Sequence, residues 1–287
     1  MRVFIHIGLH KTGTTYLQYN IFPSLKEFHY VQLPPWRILT NNTLTETELS
    51  NYKSEILKDW DHQKDLIISN EFFSGEIEKF TKQKTVVILT NLKKLFPDAQ
   101  IILVLRNPLG YFKSLYNFRV VSRGFCTKSI SRYYDQNKKY FLEKFDYEFL
   151  LKEVELRFNK ANVIKYEQIN DNNQYVAFIC KALQVPAFSV SNQVKENTSS
   201  KNTVNVNSHL LVNTIFLMSL LELFPDGKMK NYLKARYFKF KKSSLIKRLI
   251  NYIETIKYVS NKQNTLNIDQ EKELNVLVKK YDELNFP

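Results

Sequence analysis

Apolar positions along the chain fall into two kinds of run. Short, dense stretches recur at Val3 to Ile7, Asp65 to Ser69 (DLIIS), Gln100 to Leu105 (QIILVL) and Asn162 to Tyr166 (NVIKY). Runs of that length are too short for helices and read as strands buried on both faces. His29 to Leu33 (HYVQL) has strand character too, and Pro34-Pro35 ends it. Longer segments between them carry helical spacing: Thr14 to Phe22 before Pro23, Thr45 to Trp60, Gln83 to Phe96, Tyr147 to Phe158 and Asn172 to Leu183. Thr45-x-x-Glu48 is a capping-box signature at the start of the second of these. Helices alternating with apolar strands predict an α/β fold: a three-layer parallel sheet with helices on both faces. Ligands of such sheets sit at the carboxyl ends of the strands. That rule puts Lys11, Asn70-Glu71 and Arg106-Asn107 on one rim, because each directly follows a strand.

Charge and length add a second theme. The chain has 287 residues, 44% of them hydrophobic, and a formal net charge of +14. That length allows a large core, and the basic balance points to polyanions, an anionic membrane surface or a highly charged cofactor. There is no zinc-finger spacing, RNA-recognition aromatic motif or arginine-rich arm, so nucleic acid is not expected. The basic residues concentrate late: Lys228 to Tyr258 holds ten Lys and Arg against one acid, Glu254, with Tyr, Phe, Leu and Ile interleaved. Such a stretch suits an anionic membrane surface or a polyanion, and equally a solvated face of a helical appendage. His209 to Phe224 is too short and too polar to span a bilayer. Two distant cysteines, Cys126 and Cys180, read as reduced thiols, and the first strand starts without a leader. The expected location is cytoplasmic, with peripheral contact at the inner membrane surface as an extension of that reading.

The chemistry lies in two short motifs. After the first strand come Gly8 and then Lys11-Thr12-Gly13-Thr14-Thr15, at the entry to a helix. Backbone N–H groups at a helix start carry partial positive charge; Lys11 adds a full charge and the threonines add hydroxyls. Gly13 lets the backbone approach an anion closely. Gly8 and Gly13 have the spacing of the nucleotide P-loop, but Thr14 stands where that loop needs lysine. The second motif is Ile101 to Tyr116, in which Arg106 leaves a strand, Pro108 opens a helix and Ser114 follows on it. Guanidinium plus hydroxyl suits a second, separate phosphate.

Together the motifs resemble the donor site of sulfotransferases that use 3′-phosphoadenosine 5′-phosphosulfate (PAPS). Lys11 to Thr15 is similar to the family's 5′-phosphosulfate loop. Strand-Arg106-x-Pro108-x5-Ser114 is similar to its 3′-phosphate site. The motifs occur in the family's order, 95 residues apart. Tyr166-Glu167, the helix after it and Leu183-x-Val185-Pro186 resemble the closing unit of the core. The resemblance implies a P-loop-like sulfotransferase core over residues 1–204 and a basic helical extension over 205–287. It implies PAPS as sulfuryl donor and no metal requirement. Thr12, Gly13, Thr14 and Thr15 would hold the 5′-phosphate, Arg106 and Ser114 the 3′-phosphate, and Lys11 the bridging oxygen. Lys195 or Lys201, in a polar loop, would also be within reach of the 3′-phosphate.

A hydroxyl acceptor needs a general base. Glu71 is the first candidate, with Ser69 and Asn70 to orient it; His10 is second, and His29 with Glu27 third. The basic, aromatic segment Gly124 to Asp146 resembles the family's acceptor region. The expected acceptor is a hydroxyl of a carbohydrate, glycan or lipid-linked precursor. Two rivals stay open: a small-molecule kinase, and a non-catalytic protein that binds polyanions or membrane surfaces through 228–258.

Overall fold

Five short strands pair side by side, all parallel, in the order β2-β3-β1-β4-β5. They are β1 (Val3–Gly8), β2 (Phe28–Gln32), β3 (Asp65–Ser69), β4 (Gln100–Leu105) and β5 (Ala161–Lys165). The computed structural model describes residues 1–60, 62–76, 81–118, 130–159, 161–169, 171–189 and 265–284. The described residues fall in two compact units, one drawn from 1–111, 137–196 and 273–287, the other from 112–136 and 197–272. The sheet belongs to the first. The expected division at residue 204 falls outside the described residues, as do Cys126, Lys195, Lys201 and the basic stretch 228–258.

Both faces of the sheet are covered, as the dense apolar runs require. Phe4, Ile67, Ile102, Val104 and Ile164 pack with Tyr16, Leu17, Ile21 and Phe22 and with Val176, Ile179 and Leu183. The alternate residues Ile5, Ile7, Leu66, Ile68, Ile101, Leu103 and Leu105 are equally buried, so the opposite face is buried too. Among the described residues the α-helices are α1 (Thr14–Tyr16), α2 (Glu46–Ile56), α3 (Lys82–Leu95), α4 (Pro108–Asn117), α5 (Ile130–Lys144), α6 (Tyr147–Glu155), α7 (Asn172–Leu183) and α8 (Ile268–Glu283). The capping box of α2 is formed in both directions: the Glu48 N–H donates to Thr45 Oγ1, and the Thr45 N–H donates to Glu48 Oε2.

The first helix departs from the expected regular run. α1 widens into a π-turn over Leu17–Ile21 and closes as a 3₁₀ turn over Phe22–Ser24. Pro23 has no N–H to continue the ladder, which accounts for the tight ending. The widened turn puts buried Gln18 against Ser69 at the end of β3, Nε2 to Oγ 3.0 Å. No helix among the described residues is long and apolar enough to cross a membrane.

Candidate active site

The loop between β1 and α1 is built from its own residues. The Thr12 and Thr14 hydroxyls both donate to the Leu9 carbonyl. Gly13 takes a left-handed φ of 75°, and its carbonyl accepts from Tyr16 and Leu17, which starts the helix. Two more of its carbonyls turn to the protein: Tyr175 Oη on α7 donates to Thr12 O at 2.8 Å, and Arg106 Nη1 donates to Lys11 O. The N–H groups of Thr12, Gly13, Thr14 and Thr15 donate to no acceptor among the described residues. Carbonyls inward and N–H groups outward make an anion cradle. Thr12 and Thr14 differ from expectation in one respect, since their hydroxyls are committed inward. The loop therefore presents N–H groups, Lys11 and the exposed Thr15.

Two glycines are required here. A Cβ on Gly8 would stand 2.4 Å from Thr14 Oγ1 and 2.9 Å from His6 Cε1. A Cβ on Gly13 would approach the Tyr175 ring at 3.0 Å, besides its positive φ. Below the loop, buried His6 shares a hydrogen bond with Ser69, Nδ1 to Oγ 2.8 Å. Burial pushes its pKa down to about 3, so it is neutral. Ser69 is thus bonded to His6 and Gln18, and serves the floor of the loop.

Lys11 is half-buried and takes a left-handed φ of 66°. Burial lowers its pKa first, the neighbouring Arg106 charge lowers it further, and Glu71 acts in the opposite sense. Three charged groups from the ends of three adjacent strands therefore converge: Lys11 after β1, Glu71 after β3 and Arg106 after β4. His10 joins them, 97% buried, with Nε2 3.7 Å from Glu71 Oε1 and its ring edge-on to Phe72. Asn70 caps the 3₁₀ turn Glu71–Ser74: its Oδ1 accepts from the Phe72 N–H at 2.9 Å, and its Nδ2 donates to Pro34 O at 2.8 Å. It is Asn70, not the Glu71 carboxylate, that satisfies this turn's N–H group.

Glu27 and His29 lie elsewhere. His29 is the second residue of β2 and pairs with Leu66, at the amino end of the sheet, and Glu27 precedes it. Lys11 and Glu71 follow the carboxyl ends of β1 and β3, on the opposite rim. Ser114 is half-buried on α4, in the second unit. Among the described residues no group of three His, Cys, Asp or Glu side chains is placed to hold a metal ion.

The Arg106 turn is held by residues distant in the sequence. The Arg106 guanidinium lies over the Tyr166 ring, 4.6 Å from its centroid, and Nε is buried without an acceptor among the described residues. Tyr147 Oη donates to Arg106 O at 2.7 Å. The Asn107 N–H donates to Glu167 Oε1 at 2.9 Å, and Tyr281 Oη donates to Glu167 Oε2 at 2.6 Å. Only Tyr166-Glu167 had any sequence signal, as part of the strand-Tyr-Glu pattern. Lys144, fully buried, is another residue without one. Its Nζ donates to the carbonyls of Ser74, Gly75 and Glu76 at 3.3–3.5 Å, just past the Glu71 turn. Burial pushes its pKa down to about 7, against the pull of the Glu71 charge.

The fold has a counterpart among solved structures. The crystal structure of a sulfotransferase from Alicyclobacillus acidocaldarius matches the chain with a TM-score of 0.51 and 16% sequence identity, over 80% of this chain and 99% of that one. No protein-family model and no curated protein matches. The five-stranded parallel sheet with surrounding helices is therefore a sulfotransferase-like α/β fold.

Proposed function

We propose that the chain is a sulfotransferase that moves the sulfuryl group of PAPS to a hydroxyl of a carbohydrate, glycan or lipid-linked acceptor. One observation carries this reading. The end of β1 bears a cradle of N–H groups with Lys11 in it, and the end of the neighbouring strand β4 bears Arg106, bonded to that same loop. Two phosphates, one on the 5′ and one on the 3′ side of a ribose, suit two cationic sites on adjacent strands. Arg106 Nε, buried without a protein acceptor among the described residues, is a donor suited to the second.

In this reading the N–H groups of Thr12 to Thr15 hold the 5′-phosphate, and Arg106 with Ser114 holds the 3′-phosphate. The acceptor oxygen attacks sulfur, and the bond from sulfur to the bridging oxygen breaks. The acceptor proton passes to Glu71, with His10 behind it, while Lys11 stabilises the charge that develops on the bridging oxygen. Such a transfer is governed by positioning and charge stabilisation, which a rigid loop and fixed cations supply. Carbohydrate as acceptor class rests on the basic and aromatic composition of Gly124 to Asp146. A cytoplasmic location and peripheral contact through 228–258 likewise rest on sequence composition.

Calorimetric titration with adenosine 3′,5′-bisphosphate (PAP), with ADP and with ATP plus magnesium in parallel, tests the donor. Binding of the bisphosphate, lost in Arg106→Ala and absent for ADP, is the expected result. Binding of ATP alone replaces this reading with a kinase. No nucleotide binding, with retention on anionic vesicles, replaces it with a surface-binding protein.

A further inference from the structure

The C-terminal helix α8 reaches the Arg106 turn through two residues. Tyr281 is buried on α8, and its ring meets that of Tyr147 edge-on at 5.8 Å. Its hydroxyl donates to one oxygen of Glu167, while the other oxygen accepts from the Asn107 N–H, the peptide directly after Arg106. Tyr147 takes the carbonyl of Arg106 itself. Lys165 strengthens the attachment, with Nζ 5.1 Å from the Tyr281 ring and 3.4 Å from the Asp282 carbonyl. Both polar ends of the peptide between Arg106 and Asn107 are thus held by tyrosines and a carboxylate drawn from α6, the end of β5 and α8.

We propose that Tyr281 and Glu167 are positioning residues for Arg106, so that the far C-terminal segment forms part of the 3′-phosphate half of the donor site. This rests on the donor-site reading above. The physical reason is the direction of strand exit. Arg106 leaves β4 where the chain turns into α4, and a guanidinium fork recognises a phosphate only if its backbone anchor is fixed. The Arg106 ring contact with Tyr166, the residue preceding Glu167, fixes the side chain from the same segment. Glu167 is a carboxylate beside a phosphate-binding turn, which by charge alone opposes phosphate binding. Its presence is explained by the hydrogen bond that it accepts from the turn.

That opposition supplies a test. Titrate wild type, Tyr281→Phe, Glu167→Ala and Glu167→Gln with PAP and with adenosine 5′-monophosphate, which lacks the 3′-phosphate. The expected result is a five- to tenfold loss of bisphosphate affinity in Tyr281→Phe and Glu167→Ala, with the monophosphate affinity unchanged. Glu167→Gln keeps a carbonyl acceptor for Asn107 and should recover most of the loss. Tighter bisphosphate binding in Glu167→Ala would assign Glu167 a charge effect only and overturn the proposal. Equal losses for both nucleotides would also overturn it, as a general loosening of the fold. A wild-type protein that does not distinguish the two nucleotides overturns the donor-site reading, and this inference with it.

Discussion

The phosphate loop and the Arg106 turn stand one strand apart and serve adjacent parts of the proposed donor, yet they are built in opposite ways. The loop is held mainly from within. Thr12 and Thr14 reach back to Leu9, Gly13 starts the helix, and Gly8 clears the space that Thr14 occupies. The Arg106 turn is held from without, by Tyr147, Glu167 and Tyr281, which lie 41 residues and more along the chain. A site held from within depends on local backbone geometry, and a site held from without depends on distant side chains. Substitutions should therefore act differently in the two places.

The largest expected effect is at Lys11. Lys11→Gly should lower turnover by about 10²–10³-fold, the usual cost of removing one donor to a developing negative charge. Stability should hardly change. The left-handed φ of Lys11 costs about 1–2 kcal/mol, which glycine relieves, while the extra freedom of glycine in the unfolded chain returns about 0.5–1 kcal/mol. Steady-state kinetics and a thermal melt on one sample check both halves. A variant that loses activity and melts early would show that Lys11 holds the loop together, and the contrast with the Arg106 turn would shrink.

Next comes the floor of the loop. His6 is neutral in the folded protein, with a pKa near 3, whereas an unfolded histidine titrates near 6.5. The unfolded chain binds the extra proton first as pH falls. Stability is therefore full above about pH 6.5 and declines below it, by at most about 1.4 kcal/mol per pH unit, until the folded protein also takes up the proton. Thermal midpoints between pH 7.5 and 5 measure that slope, and His6→Asn, which keeps a polar group toward Ser69, should flatten it. An unchanged slope would place the acid sensitivity elsewhere and remove His6 from the loop's support.

This difference in construction also explains what could be read from the sequence. The capping box of α2 and the loop were legible because their interactions join residues a few positions apart, and the strands because burial on both faces leaves a short dense apolar run in each. Gly8, Gly13 and Pro108 act through local backbone shape, and Lys11 and Arg106 each directly follow a strand, so their positions could be read from the sequence. Tyr147, Tyr175 and Tyr281 were not legible, since a tyrosine that donates one hydrogen bond to a distant carbonyl or carboxylate resembles any core tyrosine. Lys144 was hidden for the same reason: its three carbonyl acceptors lie 68–70 residues away. His29 and Glu27 were attractive as a His–acid pair near the first helix. Their place at the amino end of β2 follows from strand direction, which shows them on the rim opposite Lys11 and Glu71.

The smallest effect gives the sharpest comparison, because one hydroxyl can be removed from each region. Tyr175 is a long-range brace of the loop, 163 residues from Thr12, whose carbonyl it holds at 2.8 Å. Tyr175→Phe keeps the ring beneath Gly13 and removes only that bond, leaving a buried carbonyl unsatisfied at a cost of about 1 kcal/mol. The peptides next to it present the N–H groups assigned to the 5′-phosphate, which PAP and adenosine 5′-monophosphate share. Tyr175→Phe should therefore weaken both nucleotides by the same factor, about fivefold at most, because the Thr12, Thr14 and Gly13 bonds and the Arg106 bond to Lys11 O still hold the loop. Tyr281→Phe should weaken only the bisphosphate. If instead Tyr175→Phe lowers bisphosphate affinity alone, the loop and the Arg106 turn are not separate supports. The bond from Arg106 to the Lys11 carbonyl would then be the element that couples them, and a change in either half would be felt at the 3′-phosphate.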